Sequence, residues 1–172
     1  PSQIAKDYNI PYYVVKHNSD QSLNLLSRYQ INFGIIAGSR ILSSDIIKFI
    51  QYGVLNFHPG ILPHIRGLDS ILWSIQKDYP IGVTAHLINE KIDAGLLVIQ
   101  KKIIISKQDD IYSFYKKNYE LQLNLVPISL NLILKNSSFP VLAMGEYNQK
   151  MSYSQQLDVS KKIKNYVNKY SS

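Results

Sequence analysis

Residues 54–75, "VLNFHPGILPHIRGLDSILWSI", join two regular apolar segments through a long connection that is rich in glycine and proline. The opening "VLNF" is a short, nearly all-apolar run, which is typical of a strand buried on both faces. Residues 68–76 repeat apolar side chains at helical spacing and predict a helix with Ile71, Leu72 and Ile75 facing inward. An ordinary strand-to-helix connection needs only a few residues. The length of this loop therefore indicates that it does more than connect two elements.

The segments before this stretch predict a strand–helix–strand unit. "NFGIIAG" at 32–38 has the pattern of a buried parallel strand. "SSDIIKFIQYG" at 43–53 predicts a helix that is capped by Ser43 or Ser44 and ended by Gly53. Because strands joined through a crossover helix lie parallel, we expect a parallel sheet in this part of the chain.

The rest of the chain also divides into regular segments. The first residues predict a short helix in "SQIAKDYN", a β-rich segment in "IPYYVV" and a helix at 20–30 with Asp20 as its N-cap. Downstream, "IGVTAHLI" and "GLLVIQKKIII" predict two strands separated by "NEKIDA". Residues 108–136 predict a long helix, which Pro127 is expected to kink or break.

The composition describes a single globular domain without disulfides. The chain has 172 residues, of which 45% are hydrophobic and 18% charged. Cysteine is absent, which excludes disulfides, thiolate metal sites and a cysteine nucleophile. No apolar run approaches the roughly 18 residues that a membrane span requires, so no membrane partner is expected. The net charge is +7, and its excess lies in a tail after Lys150 that we interpret as a solvated helix. We therefore expect no nucleic-acid partner.

Three polar side chains are placed where the predicted sheet would bind a ligand. Asn56 and His58 lie at the carboxyl end of the "VLNF" strand, and Asp93 lies in the short "NEKIDAG" connection. An amide, an imidazole and a carboxylate in one crevice supply an oxyanion donor, a proton shuttle and an orienting charge. Because no nucleophile lies beside them, the arrangement favours direct transfer between two bound substrates. A metal site of His58, His86 and Asp93 is an alternative from residue types alone; otherwise we interpret His86 as structural.

The order of motifs resembles a known family. "GSRILSSDII", "GVLNFHPGILPHIRGLDSILWSI" and "IGVTAHLINEKIDAGLLV" are similar to the catalytic core of the folate-dependent formyltransferases. That family includes the glycinamide ribonucleotide, methionyl-tRNA and sugar-nucleotide enzymes. The similarity runs from Pro1 to Ile105 and is strongest from Ile35 to Leu97.

The resemblance implies an α/β fold with a Rossmann-like, open and largely parallel sheet in three layers. It implies a catalytic core at residues 1–136, followed by an extension at 137–172 that is either packed on the core or exposed as a basic tail. Family members usually begin with a further strand–helix–strand unit before the point equivalent to Pro1. By this comparison the core is expected to be partial at its N-terminus.

The function that the resemblance implies is transfer of a formyl group from 10-formyltetrahydrofolate to a primary amine, without a metal, by a cytoplasmic enzyme. The expected acceptor is a small molecule such as a nucleotide-linked amino sugar. Two alternatives stay open: an inactive fragment or remnant of such an enzyme, and a hydrolase of 10-formyltetrahydrofolate. The resemblance also leaves a homodimer open.

The resemblance assigns roles to individual positions. Asn56 would stabilise the oxyanion, His58 would assist it and handle protons, and Asp93 would hold a water or relay protons and keep His58 correctly charged. The cofactor slot would be lined by two short segments, Arg40, Ile41 and Leu42 on one side and Asn89, Glu90, Lys91 and Ile92 on the other. The loop after His58 would form the acceptor wall, with Pro59, Gly60, His64 and Arg66 as candidate contacts.

Overall fold

The computed structural model describes residues 1–38, 41–136 and 138–171. Within these ranges the helices are α1 (Ser2–Asp7), α2 (Asp20–Arg28), α3 (Ser44–Phe49), α4 (Ser70–Gln76), α5 (Ile111–Lys135) and α6 (Tyr153–Tyr170). The strands are β1 (Gly34–Ile36), β2 (Val54–His58), β3 (Arg66–Gly67), β4 (Gly82–Ile88), β5 (Gly95–Lys102) and β6 (Tyr147–Asn148). None of the helices described is both long and apolar enough to cross a lipid bilayer.

The main sheet has the strand order β1-β2-β4-β5. The predicted strand–helix–strand unit is present, because β1 and β2 pair in parallel and α3 connects them. Beyond β2 the sheet continues antiparallel, with β2 against β4 and β4 against β5. The short connection at 89–94 explains the second antiparallel pair, since a parallel pair needs a crossover of a dozen or more residues. The parallel part of the sheet is therefore its β1–β2 side.

Helices cover both faces of this sheet and make the α/β fold three-layered. On one face, Leu55 and Phe57 of β2 and Val83 and Ala85 of β4 pack with Leu125 of α5. On the other face, Val54 packs with residues of α2 and α3. Because side chains alternate along a strand, Asn56 and His58 share the second face with Val54. The same alternation thus gives β2 and β4 one apolar face and one face that carries polar groups.

Residues 153–170 pack on the core as a helix. In α6, Val159, Tyr166 and Val167 are buried in a cluster with Ile71 and Ile75 of α4 and with Phe114 of α5. Ser152 caps α6 through a capping box with Gln155. The lysines of this segment remain on its outer surface; Lys162 donates to Gln76, and Lys169 pairs with Asp78.

Several local expectations were wrong. Residues 10–15 form no strand, and β1 is an edge strand within the described residues, with 46% of Ile35 exposed, rather than a strand buried on both faces. The N-cap of α2 is Ser19, whose hydroxyl accepts from the Ser22 amide at 3.3 Å, and not Asp20. The expected break of α5 at Pro127 is absent, since the helix continues to Lys135. For β1, apolar composition alone does not reveal whether a further element covers the strand. For α5, contacts along a long helix outweigh the one hydrogen bond that a proline removes.

We predict that Tyr166→Phe destabilises the protein by about 1–3 kcal/mol, because it leaves two buried backbone groups without a partner. The Tyr166 hydroxyl donates to the Tyr79 carbonyl at 2.8 Å and accepts from the Ile81 amide at 3.0 Å, and burial raises its pKa. Urea unfolding followed by circular dichroism measures the change. Tyr153→Phe on the same helix is the matched control, since Tyr153 is 77% exposed. Equal stability of the two variants would contradict the prediction.

Candidate active site

A cleft of about 1040 Å³ opens at the carboxyl end of β2. Its lining includes the end of β2, residues 67–71, the connection at 89–93 and the first half of α5. The apolar part of its lining includes Ile36, Ile41, Leu42, Ile47 and Ile88. Asn56, His58 and Asp93 all lie on this cleft, so the structure brings the three predicted catalytic side chains together.

His58 and Asp93 form a largely buried pair. His58 Nδ1 lies 3.3 Å from Asp93 Oδ1, and 5% and 13% of the two side chains are exposed. On the other side of the ring, Nε2 lies 2.7 Å from the Ile65 carbonyl. A carbonyl oxygen only accepts, so Nε2 must carry a proton. Because the second ring nitrogen faces a carboxylate, the geometry suits the doubly protonated imidazolium.

Asp93 is held by backbone as well as by His58. Its Oδ2 accepts from the Gly67 amide at 2.8 Å, which ties the 89–94 connection to β3. Burial alone would raise the pKa of Asp93, but the hydrogen bond and charge of His58 and the Gly67 amide outweigh it and lower that pKa. Gly67 has φ +103 and a Cβ there would lie 2.2 Å from the Asn148 carbonyl, so this position requires glycine. The pair therefore places an ionised carboxylate beside the His58 ring.

Asn56 is positioned by His86, a fully buried residue of β4. His86 Nδ1 lies 3.0 Å from the Ala94 carbonyl and must donate to it. Burial lowers the pKa of His86 to about 4, so the ring is neutral near pH 7 and its Nε2 is an acceptor. Asn56 Nδ2 lies 3.1 Å from that Nε2 and donates one of its two N–H groups. The second N–H is not used in this contact.

Six of the seven predicted cofactor residues line the cleft: Ile41, Leu42, Asn89, Glu90, Lys91 and Ile92. Arg40 lies outside the described residues. The Asn89 side chain accepts from the Lys91 amide at 2.9 Å, and Glu90 pairs with Lys48 of α3 at 2.8 Å. The Glu90–Lys48 pair joins the connection to α3, and the Asn89–Lys91 hydrogen bond joins two residues within the connection. The backbone of the connection therefore stays along the cleft wall.

The four predicted acceptor contacts do not lie together. Pro59 lines the cleft, whereas Gly60 lies behind the His58 ring, where a Cβ would be 2.7 Å from the Ile65 carbonyl. His64 lines a separate cavity of about 320 Å³ and its ring lies 4.6 Å from that of Tyr79. Arg66 donates to the Ile92 and Gly145 carbonyls at 2.9 and 3.2 Å.

Sequence analysis missed the part of the cleft wall that α5 contributes. Tyr115, Asn118, Tyr119 and Gln122 all line the cleft. Asn118 is buried and donates to the Gly82 carbonyl at 2.9 Å, and Gln122 donates to Asn118 at 2.9 Å. Their spacing of three and four residues places them on one helical face. That stripe of polar and aromatic residues is the sequence feature that could have indicated a cleft wall. From sequence alone, however, it is indistinguishable from an exposed helix face.

Within the described ranges, no group of three or more histidine, cysteine, aspartate or glutamate side chains is arranged to hold a metal ion. In the alternative set of His58, His86 and Asp93, the ring nitrogens of His86 contact Asn56 and Ala94. Those of His58 contact Asp93 and Ile65. The imidazoles are thus engaged in hydrogen bonds within the protein.

Comparison with known proteins identifies relatives of the chain. Residues 1–130 match the family described as "Formyl transferase". The chain is 29% identical over 133 residues to methionyl-tRNA formyltransferase of Prochlorococcus marinus, covering 74% of this chain and 40% of that protein. It is 37% identical over 98 residues to the bifunctional polymyxin resistance protein ArnA of Wigglesworthia glossinidia brevipalpis, covering 56% of this chain and 15% of that protein. The chain thus spans less than half the length of these relatives.

Solved structures share the fold. The formyltransferase PseJ from Anoxybacillus kamchatkensis, crystallised with a UDP-linked formamido sugar and tetrahydrofolate, superimposes with a TM-score of 0.73 at 20% identity, covering 97% of this chain and 93% of that one. Phosphoribosylglycinamide formyltransferase from Campylobacter jejuni superimposes with a TM-score of 0.64 at 26% identity, covering 77% and 73%. The family match over residues 1–130 and the shared fold lead to one conclusion: the chain belongs to the formyl transferase family.

Proposed function

We propose that this protein transfers a formyl group from 10-formyltetrahydrofolate to a primary amine. The observation that carries the proposal is the convergence of the Asn56 amide and the His58–Asp93 pair on one cleft at the end of β2. The pair supplies charge and the amide supplies a directed donor, and neither needs a nucleophile on the protein. This combination fits direct transfer between two bound substrates.

The apolar part of the cleft lining fits a flat heteroaromatic ring. Ile41, Leu42 and Ile88 provide apolar surface, and the backbone at 89–93 provides polar groups at its edge. Such a site, mostly apolar with a few fixed polar groups, is typical for small organic ligands. When bound, the folate would supply the formyl group on its N10 atom. The size of the cleft, about 1040 Å³, leaves room for a second small molecule beside it.

The side chains then have separate roles. The N–H of Asn56 that His86 does not use donates to the oxygen on which negative charge develops. The His58 ring acts as a positive charge beside that oxygen, because both of its nitrogens are held by Asp93 and the Ile65 carbonyl. Asp93 keeps that charge in place, and its carboxylate accepts the proton that the amine releases as it attacks the formyl carbon. The same proton would pass to N10 of the folate when the bond between the formyl carbon and N10 breaks, which releases tetrahydrofolate.

A small amine, such as a nucleotide-linked amino sugar, is the acceptor we propose. Asp69 lines the cleft, and its carboxylate favours a group that arrives as an ammonium ion. Tyr115 and Tyr119 present aromatic surface on which a sugar ring packs. These two features support an acceptor that is small enough to enter the cleft completely.

The proposal predicts that tetrahydrofolate forms from 10-formyltetrahydrofolate only when a suitable amine is present. The purified chain would be tested with nucleotide-linked amino sugars, glycinamide ribonucleotide and methionyl-tRNA in parallel. Absorbance follows tetrahydrofolate and mass spectrometry identifies the formylated product. Tetrahydrofolate and free formate appearing without any amine would favour a hydrolase instead. A folded chain that does not bind 5-formyltetrahydrofolate by calorimetry would favour an inactive remnant.

Asp93→Asn is expected to lower kcat by about 10²–10⁴-fold while 5-formyltetrahydrofolate still binds, because the amide neither accepts a proton nor balances the His58 charge. Asp158→Asn is the matched control, since Asp158 is an exposed carboxylate on α6 that pairs with Lys161. Its kcat should equal that of the unaltered protein. A near-normal kcat for Asp93→Asn would remove Asp93 from the mechanism.

The pH dependence of stability provides a second check on Asp93. Its pKa in the folded state lies below the ordinary value of 3.8, so ionised Asp93 stabilises the fold above that pH. This contribution is lost as the pH falls through the folded-state pKa. The stability difference between the unaltered protein and Asp93→Asn, from urea unfolding, should therefore be largest near neutral pH and shrink below about pH 4. A difference that grows on acidification would contradict this.

A further inference from the structure

The two carbonyls that flank Asp93 in the chain both accept hydrogen bonds from basic side chains. Arg66 Nε donates to the Ile92 carbonyl at 2.9 Å, and His86 Nδ1 donates to the Ala94 carbonyl at 3.0 Å. We propose that Arg66 and His86 are positioning residues that together clamp the Asp93 turn and, through His86, set the orientation of the Asn56 amide. This inference rests on the proposed function, since it concerns the residues assigned to that chemistry.

The Asp93 turn needs such support because its backbone is unfavourable. Asp93 has φ +47, in the left-handed region, which aspartate tolerates better than most side chains but at a cost in free energy relative to the right-handed region. This conformation aims the carboxylate toward His58 and the Gly67 amide. A chain free to relax would leave it, so contacts on both sides of the residue must hold it. The carbonyls of Ile92 and Ala94 are the nearest backbone groups through which other side chains hold the Asp93 conformation.

Arg66 is built into the fold on several sides. Its Nη1 donates to the Gly145 carbonyl at 3.2 Å, and its guanidinium carbon lies 5.5 Å from the centre of the Tyr147 ring. Its own carbonyl accepts from Asn148 at 2.7 Å. The planar guanidinium thus bridges the Asp93 turn and the segment that contains β6. A lysine, with one ammonium group, does not reproduce this bridge.

His86 joins two catalytic residues through one ring. Because Nδ1 donates to the Ala94 carbonyl, the neutral ring has only Nε2 left as an acceptor. Asn56 must then present its NH₂ group, and not its carbonyl oxygen, to His86. The tautomer that holds the Asp93 turn therefore also decides which way the Asn56 amide faces. A rotated amide would offer an oxygen where a donor is needed.

Substitution of Arg66 tests the first half of the clamp. We expect Arg66→Lys and Arg66→Met both to lower kcat at least tenfold, with the acceptor KM within about twofold and 5-formyltetrahydrofolate binding retained, because the turn relaxes in both. Arg28→Met is the control, since Arg28 is exposed on α2 and lies over the Tyr29 ring. If Arg66 instead anchors an anionic acceptor, Arg66→Lys keeps the normal kcat and Arg66→Met raises only the acceptor KM. That outcome would overturn the clamp.

Two amide substitutions separate the bonds of His86. In His86→Asn the shorter side-chain amide reaches the position of Nδ1 and keeps the Ala94 contact, whereas in His86→Gln the longer one reaches the position of Nε2 and keeps the Asn56 contact. We expect both to lower kcat at least tenfold. Crystal structures should show Asp93 displaced from His58 only in His86→Gln, and the Asn56 side chain reoriented only in His86→Asn. Normal kcat in either variant, with unmoved side chains, would overturn the assignment.

The position of Asp93 in variant structures keeps this test separate from the proposed reaction. If the unaltered protein formylates none of the amines, the reaction has failed but the clamp is still judged by where Asp93 lies in the Arg66 variants. Circular dichroism and thermal unfolding of each variant establish that it is folded. A folded Arg66→Met protein with Asp93 still at hydrogen-bonding distance from His58 would disprove the clamp whatever the activity.

Discussion

The register between β2 and β4 is the constraint on which the site depends. Asn56 lies opposite His86, and His58 lies opposite Thr84. Because side chains alternate along a strand, a slip of one residue would turn the two polar side chains of the displaced strand to the face that α5 covers. The apolar partners Leu55, Phe57, Val83 and Ala85 prevent this slip, since it would expose them on the polar face. The burial of an apolar face thus sets the geometry of a polar one.

Thr84, which the register places opposite His58, connects β4 to the loop after β2. Its hydroxyl donates to the Gly60 carbonyl at 2.7 Å and accepts from the Leu62 amide at 3.0 Å. Leu62 and Ile65 are buried beside it. The loop is therefore held against β4, and the Ile65 carbonyl reaches His58 Nε2 at 2.7 Å. The long connection is a rigid wall of the site because its backbone groups are bonded to the sheet.

The site is costly in conformation and polar burial, and both costs are offset locally. A left-handed Asp93 and a buried imidazole at His86 are each unfavourable alone. Each is stabilised by contacts that also orient a functional group, as the hydrogen bonds of His86 to Ala94 and Asn56 illustrate. Preorganisation of this kind lets a charge or a donor act without rearranging during the reaction.

The amino-acid sequence alone was enough to predict the central strand "VLNF", the unit of β1, α3 and β2, the long helix α5 and the convergence of Asn56, His58 and Asp93. These follow from apolar periodicity, capping residues and motif order, which are local properties of the chain. The three-dimensional structure was needed to show that Arg66 binds two carbonyls and that His64 lies in another cavity. It was also needed to show that His86 contacts both Asn56 and the Ala94 carbonyl, and that one face of α5 forms a cleft wall. The physical reason is that an arginine, a histidine or a polar helix face has the same local pattern whether it meets solvent, a carbonyl or a ligand. Its role depends on which distant segment folds against it.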